Sequence, residues 1–202
     1  MTTNDSYLNC ENFNSLPGVF REVYDLESDL VCKLIKRKSN VLQVGPMDGH
    51  RMVVIQDKRP DLQITGLEID EKFVKIANDK LTDRGIEWKV IQGDITKPPK
   101  LEKFDWVICL NNTLGWVDDD KLAVENMKQL APNVIISVFT DKFSDELAEI
   151  YFPNMGYTNY KKTKTGFKLD AKTTFKIYAE KEILAFKPKQ LNPTPLGYFC
   201  VL

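Results

Sequence analysis

The chain has 202 residues, 43% of them hydrophobic and 28% charged, with a formal net charge of −1. That length favours one domain with a sizeable buried core, and the composition argues against disorder. The near-neutral balance supplies no global field for nucleic acid or a membrane surface. No basic-then-apolar leader opens the sequence, and no apolar run approaches the ~18 residues of a bilayer span. Cys10, Cys32, Cys109 and Cys200 are scattered without a Cys-x-x-Cys pair. Reduced thiols in a cytoplasmic protein are therefore expected, with neither a disulfide nor a zinc framework. Cys200 stands third from the end, one place short of a prenylation box.

Residues 1–19 are polar, with isolated aromatics at Tyr7 and Phe13, and read as an irregular arm. From Phe20 to Lys38, apolar residues recur at helical spacing until Ser39-Asn40 ends the run. Alternation then begins. A strand over 41–45 leads through Gly45-Pro46-Met47-Asp48-Gly49 to a helix over 48–58, stopped before Pro60. A strand over 62–68 precedes a helix over 71–84, with Asp70 as its N-cap and Gly85 as its stop. Strands follow over 86–91, 104–110 and 133–139, with helices over 119–130 and 142–152. Strands alternating with helices imply right-handed crossovers and a parallel sheet.

The last third changes character. Residues 157–162, 173–179 and 182–187 read as short antiparallel strands at one sheet edge, with Glu180-Lys181 as a hairpin turn. Nine lysines between 161 and 189 stand against three acids, a local balance of about +6. Edge lysines that discourage sheet-to-sheet pairing explain them; a surface for an anionic substrate or RNA is the alternative. The expected fold is α/β, a Rossmann-like doubly wound and mostly parallel sheet with antiparallel strands at the C-terminal edge. It divides into a cover (1–38), a core (39–156) and edge strands with a tail (157–202).

In open α/β sheets, ligands bind outside the carboxyl ends of the strands, near the point where strand order reverses. The unusual residues fall there: Gly45–Gly49 after the first strand, Glu68 ending the second, Asp94 after the third, and Asn111–Trp116 after the fourth. Glycine permits close backbone approach, and the helix start after Gly49 offers N–H donors. Over residues 20–150 this pattern resembles the class I S-adenosylmethionine-dependent methyltransferases. Asn111-Asn112-Thr113-Leu114-Gly115 looks like the Asn-Thr-Leu-Gly loop of many small-molecule members.

The resemblance implies S-adenosylmethionine as cofactor and S-adenosylhomocysteine as product. The cofactor would be held by Gln43, Gly45, Pro46, Asp48, Gly49, Glu68, Ile69, Asp94, Ile95, Asn111 and Asn112. Glu68 would accept from the ribose hydroxyls and Asp94 from the adenine amino group. Trp116 and Tyr24 are candidates against the sulfonium and substrate. Two departures stand out: Gln43 replaces the family's acid, and Met47 its middle glycine. Pro46 also removes an N–H donor.

His50, Asp118 and Tyr24 are the candidates for a catalytic group. Each has a plainer reading as helix-start residue, helix capping or packing. No metal is expected. The partner would be a small molecule, without nucleic acid or membrane, and a homodimer is left open. Two other functions fit the fold. An aminopropyltransferase would share the turn and second strand end but lacks its carboxylate after the fourth strand. A non-catalytic binding protein could have kept the fold while the first turn drifted.

Overall fold

The computed structural model describes residues 16–170 and 173–202. Most of the arm, with Tyr7, Cys10 and Phe13, lies outside the described residues, as does Lys172. The elements run α1 (Gly18–Leu34), β1 (Asn40–Val44), α2 (His50–Lys58), β2 (Gln63–Glu68), α3 (Glu71–Asp83), β3 (Lys89–Gln92) and β4 (Trp106–Cys109). A 3-10 turn (Thr113–Trp116) follows, then α4 (Asp120–Leu130), β5 (Asn133–Phe139), α5 (Asp145–Asn154), β6 (Tyr160–Thr163) and β7 (Gly166–Leu169). The chain ends with β8 (Thr173–Lys176), α6 (Glu180–Ala185), β9 (Gln190–Pro193) and β10 (Gly197–Val201).

Seven strands form one sheet in the order β3-β2-β1-β4-β5-β10-β9. The first five are mutually parallel, and β10 is antiparallel to both β5 and β9. Order reverses at β1, which pairs Val44 with Leu67 of β2 on one side and Cys109 of β4 on the other. Alternate β1 residues point to opposite faces. Val41 joins the cluster containing Val31 of α1, Met52 of α2 and Ala77 of α3. Leu42 and Val44 join the opposite cluster, with Val124 of α4 and Ile183 of α6. Buried on both faces, the central strands read as continuous apolar runs.

A third core is aromatic. Phe20 of α1, Phe139 at the end of β5, Phe143 in the turn after it, Tyr151 and Phe152 of α5, and Phe167 and Phe175 of a second sheet pack together. Phe20 stacks on Tyr151 at 5.1 Å, and Phe152 meets Phe175 edge-on at 5.3 Å. The second sheet has the order β6-β7-β8 and sits over the β4–β5 end of the main one, where Tyr178 N–H donates to Phe139 O at 2.8 Å.

The last third differs from its sequence reading. Residues 182–187 do not form a strand: α6 covers Glu180–Ala185. The Glu182 carboxylate reaches back to accept the Ala179 N–H at 3.0 Å, which starts a helix where a hairpin turn is expected. The first two expected edge strands are instead members of the separate small sheet. The antiparallel edge of the main sheet is made by β9 and β10, in the segment read as a tail. Helix α5 begins at Asp145 rather than 142, because Phe143 N–H closes a turn onto Thr140 O and Ser144 caps at Leu147 N–H.

Candidate functional site along the carboxyl rim

Four strand ends meet along one rim, linked by direct contacts. Gly93 N–H, after β3, donates to Glu68 O of β2 at 2.9 Å, and Gly45 N–H, after β1, donates to Leu67 O at 2.9 Å. The next link is steric. Gly45 has φ +65°, and a β-carbon there would lie 2.4 Å from Thr113 Cγ2 of the β4 loop. Glycine at 45 is thus demanded by both the turn and its neighbouring loop.

Glu68 is the centre of this arrangement. It is 6% exposed. Its Oε1 accepts the N–H groups of Ile69 and Asp70 at 2.9 and 3.2 Å, and its Oε2 accepts that of Met47 at 3.0 Å. Burial pushes its carboxyl above the ordinary range, opposed by those three hydrogen bonds. A carboxylate offers about four acceptor directions, so one remains on Oε2. Ile69 beside it is 64% exposed, an apolar side chain presented at the rim.

Gln43 lies two residues before the turn, 3% exposed, and its Oε1 has no hydrogen-bond partner among the described residues. A buried acceptor left unmet is costly, and a ligand N–H would satisfy it. Asp94 is half-buried and accepts the Thr96 N–H on Oδ1 at 2.8 Å. Asn111 is half-buried in the left-handed region, φ 53°. Asp94 and Asn111, with Gly45 and Ile69, form the accessible part of the expected set, and Glu68 and Gln43 lie buried beneath it.

The remaining cofactor candidates are engaged within the protein. Pro46 is buried, its ring against Gly66. Gly49 is buried against Ala77 of α3. Asp48 accepts the His50 N–H at 3.1 Å and forms an ion pair with Lys80. Ile95 is packed in the core, its carbonyl held by Asn126 at 2.9 Å. Asn112 is fully buried: its Oδ1 accepts Phe139 N–H at 2.9 Å, and its Nδ2 donates to Lys176 O at 3.0 Å. A β-carbon at Gly115 would lie 2.4 Å from that amide, so the Asn-Thr-Leu-Gly spacing serves the scaffold here.

The catalytic candidates divide similarly. Tyr24 is nearly buried; its ring stacks on His50 at 5.8 Å and carries the Arg51 guanidinium at 3.8 Å. Burial lowers the His50 proton affinity, against the opposing pull of Asp48. Asp118 is exposed; the N-cap of α4 is Asp119, whose carboxylate accepts Leu122 N–H at 3.0 Å. Trp116 is half-buried, stacked on Tyr157 at 5.7 Å and edge-on to Phe175 at 5.0 Å.

Sequence reading misses the brace under the rim. Glu27 of α1 is fully buried and paired with Arg51 at 2.9 Å, an ion pair rather than an aligned hydrogen bond. Its carboxylate also accepts the Asn111 N–H at 3.2 Å and the Ser137 hydroxyl. Burial raises its carboxyl, with Arg51 the main opposing influence. Arg51 Nη1 further donates to Tyr24 O at 3.2 Å. The one available signal is Glu27-Ser28 breaking an otherwise apolar helical stripe.

Residues 41–133 match the family model described as a methyltransferase domain. Over that segment the chain is similar to S-adenosylmethionine-dependent methyltransferases. It is 23% identical over 144 residues to a malonyl-[acyl-carrier protein] O-methyltransferase of Acetivibrio thermocellus, covering 71% of this chain and 50% of that protein. It is 29% identical over 99 residues to an uncharacterized methyltransferase of Bacillus subtilis, covering 48% of this chain and 54% of the relative. The chain thus spans about half the length of these relatives. Among solved structures, a SAM-dependent methyltransferase from Aquifex aeolicus superposes with a TM-score of 0.64 at 14% identity, covering 95% of this chain and 96% of that one. At that identity the likeness is one of fold. No helix among the described residues is long and apolar enough to cross a membrane.

Proposed function

We propose that the protein transfers a methyl group from S-adenosylmethionine to a small-molecule acceptor, with S-adenosylhomocysteine as product. The observation that carries this reading is the pairing of Glu68, buried with one open acceptor direction, with the unmet Oε1 of Gln43. The donor set fits the cofactor's chemistry. Glu68 suits a ribose hydroxyl through a charge-assisted bond, Ile69 offers an apolar face, Asp94 suits an exocyclic amine, and Gln43 suits an amino group. A second ribose hydroxyl on Glu68 would compete with the Met47 N–H, so cofactor binding should loosen that turn.

When bound, the cofactor supplies an already activated methyl group. What remains for the protein is alignment of the acceptor, which can contribute several kcal/mol. Helix α1 and the small sheet cover the β4–β5 side of the rim through Glu27 and Asn112, and this enclosure favours a small acceptor over a polymer. The aminopropyltransferase reading fares worse: amides, not a carboxylate, follow β4. A cytoplasmic location goes with the proposal. Its buried thiols Cys109 and Cys200, both pushed up to about 12 by burial, are inert.

Isothermal titration with S-adenosylmethionine and S-adenosylhomocysteine tests the proposal. Heat of binding is expected for both with wild-type protein and for neither with Glu68→Ala. Silence at millimolar cofactor with folded wild-type protein would overturn it.

A further inference from the structure

The outward face of the small sheet carries a charge arrangement that packing does not explain. In its register Lys161 of β6 lies directly opposite Lys168 of β7, which lies opposite Thr174 of β8. The next row on the same face is Thr163, Gly166 and Lys176. Gly166 puts no side chain between its two neighbours. A hollow of about 140 Å³ opens there, lined among others by Thr163, Thr165, Thr174, Lys176, Val117 and Asp118. Thr174 belongs to both the hollow and the lysine row.

The lysines of this sheet are not equivalent. Lys176 is neutralised by Asp120 at 2.7 Å and Glu182 at 3.0 Å, and Lys162 pairs with Asp145 at 2.7 Å. Lys161 and Lys168 are exposed and have no acidic partner among the described residues. Protection of a sheet edge accounts for Lys161 on the edge strand, but Lys168 is on the central one. Like charges directly opposite in a sheet are unfavourable, so the pair invites a counter-charge.

We infer that this face is an oxyanion subsite, holding a phosphate-class group of the methyl acceptor between the Lys161–Lys168 pair and the hydroxyls of Thr163 and Thr174. Threonine hydroxyls and lysine ammonium groups are donors suited to such a group. Asp118, on the wall of the hollow, opposes it and limits the charge accepted. Two lysines beside a carboxylate suit one anionic group; a nucleic-acid surface draws on many more phosphate contacts. The assignment to the acceptor rests on the methyl-transfer reading, because the hollow begins at Val117, one residue beyond the β4 loop. The anion site itself does not.

The test is an NMR titration of the full chain with inorganic phosphate and with pyrophosphate, against sodium chloride at matched ionic strength. Saturable shifts confined to residues around 161, 168 and 174 are expected. K161E/K168E should weaken binding about tenfold or more, because two attractions become repulsions, and D118N should tighten it several-fold. S-adenosylhomocysteine binding, followed in the same samples, should be unchanged in K161E/K168E. Shifts no larger than those with chloride, or indifference to K161E/K168E, would overturn the subsite. Tighter binding of single-stranded RNA than of pyrophosphate would replace it with a nucleic-acid surface. Phosphate binding without S-adenosylhomocysteine binding would leave the subsite standing and remove the methyl-transfer reading. The reverse result would remove only the subsite.

Discussion

Glu68 and Glu27 are both buried at the carboxyl rim, on opposite sides of β1, and their surroundings give them opposite uses. Glu68 is held by three backbone N–H groups and no cation, so a carboxylate direction stays available at the mouth of the site. Glu27 meets an arginine, a hydroxyl and the Asn111 N–H, and is fully enclosed. The first is placed to receive a ligand; the second fixes α1, α2 and the ends of β4 and β5 relative to one another. A buried acid at a rim is therefore read from its partners, not from its burial.

The contrast breaks most sharply if the brace is cut. Glu27→Ala leaves Arg51 charged and buried without its partner, a loss of about 3–5 kcal/mol, visible as a lower urea midpoint at unchanged slope. A change below ~1 kcal/mol would mean that Glu27 does not carry the brace. Glu68→Gln keeps the size of the side chain but removes a charge-assisted acceptor, worth about 1.5–3 kcal/mol. S-adenosylhomocysteine affinity should fall by more than tenfold while the urea midpoint moves less than in Glu27→Ala. An affinity within threefold of wild type would place the ribose elsewhere.

A pH series sharpens the comparison. Burial raises the Glu68 carboxyl above its ordinary 4.5, so the folded protein holds this proton to higher pH than the unfolded chain does. Stability from this group is then full below about 4.5 and declines as pH rises through the raised value. The thermal midpoint of wild type minus that of Glu68→Gln should fall with rising pH across this window; a difference that rises instead would contradict the environment described. The smallest effect expected is at Met47, whose φ of 48° is unfavourable for a side chain. Met47→Gly relieves roughly 1–2 kcal/mol of left-handed strain but adds unfolded-state entropy of about 0.5–1 kcal/mol. A gain of up to ~1.5 kcal/mol is expected in denaturant melts, and a clear loss would show that the Met47 side chain is needed for packing.

Much of the site is local enough to read in sequence. The short, mostly apolar run Val41–Val44 reads as a buried strand, and Gly45 and Glu68 take meaning from standing just beyond or at a strand end. Asp70 caps α3 as its type and position require, accepting Lys72 N–H at 2.8 Å. Other expected site residues have partners within the protein that lie far away in sequence. Asn112 is claimed by Phe139 and Lys176, Asp48 by Lys80, and Gly49 by Ala77, none of them a sequence neighbour. Strand β10 carries a readable β-type run, Gly197-Tyr198-Phe199-Cys200-Val201. Its insertion between β5 and β9 depends on long-range pairing that no local pattern encodes.

Periodicity and turn chemistry act over a few residues, and from them alone follow the alternating core, its parallel sheet and the acid ending the second strand. Which polar side chains remain free for a ligand was decided only when the chain closed. Hydrogen-bond partners and opposed charges 20 to 110 residues apart, such as Glu27 with Ser137, become neighbours through packing. Most buried polar groups then find one partner or another.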